Sequence, residues 1–299
     1  MSRRLFSSDF NSSYAHIWKP LVAVAVWGFS FIATKQLLTE IKPLVVILLR
    51  QIVTCFFLII FAVKTGKNFR VGKSDLIGII LLSLIATIHL SIQITGLQYT
   101  TASNTGWIIG ITPVFMALLG LIFFKEKLSG IQIAGILVSF CGLVLLVSKG
   151  NLSSVDFISN KGDFLILASS FTWAVYSLVG KKVTLNFSPM MTILFLFALM
   201  SLFVSPFALT PENIESIRHL SITSLFSILF LGLFCSGIAY VLWAQAMSEM
   251  PASRVGAFLY IEPFVTSFGA WILLHERVTV LTMMSGLIIV GGVILVNRK

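Results

Sequence analysis

The sequence predicts an all-α integral membrane protein whose ten transmembrane helices form two inverted five-helix repeats, and three observations carry that prediction. First, 57% of the 299 residues are hydrophobic, 11% are charged and the mean hydropathy is +1.00, which is more apolar surface than a water-soluble fold of this length can hide. Second, apolar runs of about 20 residues, enough to cross roughly 30 Å of hydrocarbon, follow one another almost from end to end. Third, the chain repeats itself. At a shift of 150, Ala102, Ser103, Gly106, Ile111, Pro113, Glu126, Gly142, Leu145 and Lys149 meet identical residues at Ala252, Ser253, Gly256, Ile261, Pro263, Glu276, Gly292, Leu295 and Lys299. Near the start of each half, Trp27, Lys35 and Pro43 meet Trp173, Lys181 and Pro189 at a shift of 146.

The first crossing is expected over 17–38. Arg3, Arg4 and Lys19 precede an apolar run that is too long for a signal-peptide core and lacks a small-residue cleavage site, so an uncleaved helix is expected. Pro43 opens the second span, 43–64, and Gly66 and Gly72 mark a polar loop before the third, 75–97. Spans four and five cover 101–124 and 129–148, and Gly150 and Asn151 begin the central connection. The sixth is 162–181; Pro189 opens the seventh, 188–209, which Thr210 and Pro211 end. The last three are 220–247, 251–274 and 279–297. Two units follow, 17–149 and 162–297, each of five helices. An odd number makes the second unit cross in the opposite sense, an arrangement typical of secondary transporters, with the site near the midplane between the units. No loop is long enough to fold alone, so the activity belongs inside the membrane.

The net charge of +10 is spread over short loops without an aromatic-basic stripe, which argues against nucleic acid and for the positive-inside rule. With the N-terminus inside, fourteen lysines and arginines from Arg3 to Lys299 lie on the inner side. Five lie outside: Lys42, Lys149, Lys161, Arg218 and Arg277. Both termini are therefore expected in the cytoplasm. Cys55, Cys141 and Cys235 all sit in apolar segments, which points to core packing and no disulfide framework.

Several stretches together carry a family resemblance: WGFSFIATK at 27–35, LQYTTASNTGWIIGITPVFMALLGLIFFKEKLS at 97–129, FTWAVYSLVGKK at 171–182 and YIEPFVTSFGAWILLHERVT at 260–279. They resemble the EamA-type repeats of the drug/metabolite transporter superfamily, over about residues 17–297. The resemblance implies two EamA repeats in a ten-helix exporter or facilitator of small metabolites such as amino acids, working without ATP or any cofactor. It also implies a multi-pass protein of the inner (plasma) membrane of a bacterium. The expected partners are a small-molecule substrate and the bilayer, and the oligomeric state, monomer or homodimer, stays open.

Glu262 is the sharpest candidate for function. A carboxylate at mid-bilayer costs a few kcal/mol, so it should face protein or water, or be protonated. Pro263 beside it cannot donate a backbone hydrogen bond and disturbs the preceding turn. Glu262 can therefore exchange a proton or meet a substrate amine during transport, or else stay protonated and pin the kink; its counterpart in the first unit is Thr112. Arg50 could hold a substrate carboxylate or pair with an acid, although its place near the outer end favours snorkelling. Both are assigned to coupling. Residues at helical spacing suggest a polar-aromatic lining on helices 1, 3, 4, 6, 8 and 9: Trp27 with Ser30, His89 with Gln93, Asn104 with Trp107, Trp173 with Tyr176, and Tyr240 with Trp243. Tyr260, two residues from Glu262, should point away.

Lys35 and Lys181 read as interfacial anchors, and Glu126 and Glu276 as caps or gate contacts. Gly106 with Gly110, and Gly135 with Ser139, read as close helix contacts within one chain. GKNFRVGKS has the wrong spacing for a phosphate loop, and His275–Glu276 lacks the second histidine of a zinc site, so no metal is expected. An intramembrane enzyme would need at least two catalytic groups at reactive spacing, and His89 and Glu262 are the only mid-span acid-base residues. A passive channel is the third class.

Overall fold

The structure, a computed structural model, describes residues 17–148, 160–183, 187–274 and 280–298. The described residues form helices in this order: α1 (Trp18–Leu37), α2 (Pro43–Lys64), α3 (Lys73–Tyr99), α4 (Ala102–Phe124), α5 (Gly130–Ser148), α6 (Lys161–Lys182), α7 (Pro189–Ala208), α8 (Ile222–Glu249), α9 (Ala252–Leu273) and α10 (Val280–Asn297). Eight of these are long and apolar enough to cross a membrane; α5 and α10, of 19 and 18 residues, are apolar but adjoin residues outside the description. Outward faces carry Phe56, Ile77, Ile122, Phe226 and Leu287, as a lipid-facing surface requires. One helix was not expected: Pro211–Arg218, two turns capped by the Thr210 hydroxyl, where the sequence suggested only a loop.

The breaks have local causes. Pro43 and Pro189 start their helices at a position where a missing N–H costs nothing. Lys125 at the end of α4 takes a left-handed conformation, φ 51°, and turns the chain back so that the Glu126 amide donates to Gly120. The fourth helix of each half is interrupted at equivalent places, by a loosened turn at Gly110–Ile111 and by a 3-10 turn over Phe258–Ile261. Pro113 and Pro263 follow these breaks and cannot donate to the carbonyls four residues back, those of Ile109 and Leu259. In α8 the stretch Leu231–Ile238 is a π-helix, which turns carbonyls away from the regular ladder. Trp27 Nε1 donates to Cys235 O at 3.0 Å and Thr54 Oγ1 to Gly232 O at 2.8 Å, so side chains of α1 and α2 take up that capacity.

The two halves interleave. α5 pairs with α10, α3 with α6 and α2 with α7; α1 packs on α8 and α9, while α6 packs on α3 and α4. Contacts also fix direction. Lys35 at the end of α1 donates to Leu97 and Thr100, beside which Asp163 at the start of α6 accepts from Thr100. Lys19 at the start of α1 meets Glu249, next to Met250, which Lys181 at the end of α6 reaches. Hence α1 and α6 run antiparallel.

The small-residue spacings are used within the chain. A Cβ on Gly106 would meet Thr266 of α9 at 3.0 Å, and one on Gly110 would meet Leu143 of α5 at 2.7 Å. At Gly135 it would meet the Gly292 carbonyl at 2.7 Å. Core packing holds for Cys235 and partly for Cys55, but Cys141 lies on the exposed face of α5, because a helix that packs mainly on α10 keeps an outward side.

At one end Glu40, between α1 and α2, accepts from the Ser221 hydroxyl at 2.7 Å and the Ser221 amide at 2.9 Å. These donors favour the carboxylate and hold the Glu40 pKa below its ordinary value. A lowered folded pKa gives a tie that is complete at neutral pH and lost as the solution is acidified through the carboxylate range. A small gap in Tm between wild type and Glu40→Gln is expected at pH 7, closing in acid; a gap that widens in acid would contradict this assignment.

Candidate functional site

A cavity of about 40 Å³ lies at the centre of the bundle. Seven helices line it: Trp27, Ser30 and Phe31 from α1, Arg50 from α2, His89, Leu90 and Gln93 from α3, Ile109 and Thr112 from α4, Ser169, Ser170 and Trp173 from α6, Tyr240 from α8, and Leu259 and Glu262 from α9. It has room for a few waters at most. Both helix breaks reach it, through Ile109 and Leu259, whose carbonyls the prolines leave without their usual donor.

Glu262 is 3% exposed and Arg50 is 4% exposed, yet the described residues place them in no ion pair with each other. Arg50 Nε donates to Ser236 Oγ at 2.7 Å, in the π stretch of α8. Snorkelling is therefore overturned: helix rotation turns Arg50 inward, where the hydroxyl of Ser236 receives it. His89 Nδ1 is 3.1 Å from the Ser169 carbonyl, which puts the hydrogen on that nitrogen. Among the described residues, Trp173 Nε1 and Thr112 Oγ1 are buried at the cavity without a hydrogen-bond partner.

One side of the cavity is an aromatic wall. The Trp27 ring lies 4.9 Å from Trp173, 5.6 Å from Tyr240 and 5.3 Å from Trp243, mostly edge to face or tilted, and Tyr176 adjoins Trp173 at 5.2 Å. Beyond the wall is a larger hollow of about 350 Å³, lined among others by Tyr176, Ser177, Lys181, Thr192 and Trp243.

The structure therefore gathers Trp27, Ser30, His89, Gln93, Trp173, Tyr240, Glu262 and Arg50 at the central cavity and puts Tyr176 and Trp243 on the far side of the wall. Asn104 and Trp107 are corrections, since neither lines the cavity. Asn104 is in the first turn of α4, at a helix end, where its amide donates to Asp163 at 2.6 Å. Trp107 packs against the core instead. Tyr260 is buried outside the cavity lining, as its spacing from Glu262 suggested.

Sequence reasoning missed α2 as a wall of the cavity, and Asp163, Ser169 and Ser170 as residues of interest. A signal existed for the serines, two adjacent hydroxyls in an otherwise apolar run. Lys35 and Lys181 are not interfacial anchors: each donates to backbone carbonyls, because its helix end abuts a sharp corner between two neighbours. Glu126 is the cap expected of it, accepting from the Ala252 and Ser253 amides at the start of α9. Glu276, Arg277 and His275 lie outside the described residues.

Interleaved apolar helices closed around a buried polar and aromatic cavity define a multi-pass membrane protein with an interior site. The chain belongs to the EamA-like transporter family, whose profile matches residues 15–148 and 160–298 as two repeats. It is 30% identical over 282 residues to an uncharacterized transporter of Archaeoglobus fulgidus, covering 93% of this chain and 96% of that one. To the uncharacterized transporter YoaV of Bacillus subtilis it is 22% identical over 271 residues, covering 90% and 91%. A solved crystal structure superposes with a TM-score of 0.73 at 16% identity, covering 94% of this chain and 97% of its own, which shows a shared fold. The protein is thus a membrane transporter by family.

Proposed function

We propose that the protein is a secondary transporter, acting as an exporter, that moves a small zwitterionic metabolite of the amino-acid class by alternating access between two inverted repeats, 17–149 and 162–297. In this reading all ten helices cross the inner membrane of a bacterium, with both termini in the cytoplasm. The observation that carries the substrate class is the presence of one guanidinium, Arg50, and one carboxyl group, Glu262, in a single buried cavity with no mutual ion pair among the described residues. A guanidinium and a separate acid in a desolvated space suit a ligand that brings a carboxylate to the one and, as the acid gives up its proton, an ammonium to the other. The aromatic wall supplies area for an apolar side chain, and Trp173 Nε1 and Thr112 Oγ1 offer unused hydrogen-bonding capacity. Glu262, protonated when no amine is present, would couple transport to protons.

A passive channel needs a continuous water path, and a cavity of only about 40 Å³ supports a carrier instead. The substrate class is tested by thermal unfolding of the purified protein with a panel of amino acids and their one-charge analogues. Intact amino acids are expected to raise Tm through binding to the native state, while the decarboxylated amine and the deaminated acid do not. Equal stabilisation by either analogue would remove the zwitterion reading. Trp173→Phe keeps an aromatic face, a smaller one, and deletes the donor, so it should weaken binding of the best ligand by at least about fivefold if that indole reaches the cargo; unchanged affinity would restrict Trp173 to the wall.

A further inference from the structure

We infer that Lys35 and Lys181 are equivalent clamps, one in each repeat, that hold the two ends of the transport path shut, and that Glu126 fastens the clamp at the Lys181 end. This rests on the alternating-access reading above. Lys35 Nζ donates to the carbonyls of Leu97 at 2.8 Å and Thr100 at 2.6 Å, at the corner between α3 and α4. Lys181 Nζ donates to the carbonyl of Met250, at the corner between α8 and α9. The donors are related by the shift of 146 and the acceptors Thr100 and Met250 by the shift of 150, so the same contact is made twice. Because α1 and α6 run antiparallel, the two copies lie at opposite ends of the bundle.

At the Lys181 end the contact joins both halves. Glu126 follows the left-handed Lys125, and its carboxylate folds back over Gly120, where a Cβ would meet Glu126 Oε2 at 3.1 Å. From there Oε1 accepts from the Ala252 amide at 2.8 Å, and Oε2 accepts from the Ser253 amide at 3.1 Å and the Ser253 hydroxyl at 2.8 Å. The start of α9 is thereby pinned to the end of α4, and Lys181 Nζ stands 4.0 Å from the same carboxylate. α9 carries Glu262 and α4 carries Thr112, and both line the cavity. Parting α9 from α4 at this end requires giving up the Glu126 bonds first. At the other end the corresponding corner is held across the halves by Asp163, which accepts from Thr100 at 2.5 Å and Asn104 at 2.6 Å.

The test uses a reporter thiol, Ser170→Cys, on the cavity wall, and a small membrane-impermeant thiol reagent applied to right-side-out or inverted vesicles. Lys181→Met and Glu126→Gln should each raise labelling from the Lys181 face by about tenfold, the size expected for losing a charge-assisted hydrogen bond, without raising it from the other face. Lys35→Met should do the reverse. Labelling that is unchanged, or raised equally from both faces, would overturn the clamps. The same vesicles without the reporter thiol set the background, and Lys181→Arg, which keeps the charge and donors, should return labelling to the wild-type level if the folded protein is intact; failure of that rescue counts against the clamp. Transport is read separately: an inert wild type with side-specific labelling shifts would overturn the transport reading and keep the clamps, whereas an active wild type without shifts would do the opposite.

Discussion

Replacing Glu262 with glutamine is expected to abolish substrate movement driven by a pH gradient while leaving the purified protein as heat-stable as wild type. The side chain is 3% exposed, lines the cavity, and accepts no side-chain hydrogen bond from the described residues; only its backbone oxygen is used, by Thr266 Oγ1 at 2.9 Å. Glutamine has nearly the same shape, so packing survives. What is lost is a group able to carry either a proton or an ion pair with a substrate amine. Removing one partner of a desolvated charge contact costs a factor of roughly 30 or more, so coupled flux should fall at least that far. Retained flux with unchanged pH dependence would leave Glu262 a pin for the break before Pro263. A fall in Tm without loss of coupling would say the same.

The second large effect concerns packing. Gly292→Ala should strongly destabilise the protein, whereas Gly291→Ala, the same chemical change one residue earlier, should be nearly silent. A Cβ on Gly292 would stand 2.2 Å from Ser139 Oγ, 2.6 Å from Gly135 O and 2.6 Å from Ser139 N, and two of those atoms are backbone. One on Gly291 meets nothing within 4 Å. Overpacking of this kind costs about 1–3 kcal/mol, and since helix backbones cannot step aside without separating α5 from α10 the upper end applies. The fraction of each variant that stays monodisperse in detergent after heating reads the difference. Equal survival would mean that α5 and α10 do not approach as closely as described.

These two predictions also mark what could be read from the chain alone. Spans and breaks were legible because length, apolar content and proline act locally, and the repeat was legible because identities recur at a constant shift. Glu262 stood out because a carboxylate so deep in an apolar run needs a special environment. Depth along a helix can be counted; rotation about its axis cannot, and Arg50 shows the consequence. Its position suggested an arm reaching for the interface, but α8 presents Ser236 to it through a π-helical stretch that no spacing rule anticipates. Asn104 and Trp107 failed for the opposite reason. Their helical spacing was sound, yet Asn104 sits in the first turn of α4 at the bundle's end, where Asp163 accepts from its amide, and Trp107, further along, packs against the core. Lys35 and Lys181 looked like anchors because their acceptors, the carbonyls at Thr100 and Met250, carry no sequence signature at all.

In the proposed cycle the cavity between the two repeats opens to one side at a time. Trans-stimulation tests it most directly. Proteoliposomes preloaded with an unlabelled amino acid that raises the Tm are predicted to take up the labelled form several times faster than empty ones, because a loaded carrier returns sooner than an empty one. Uptake at the same rate whatever the internal load would contradict the account, since a pore fills vesicles without regard to what leaves them.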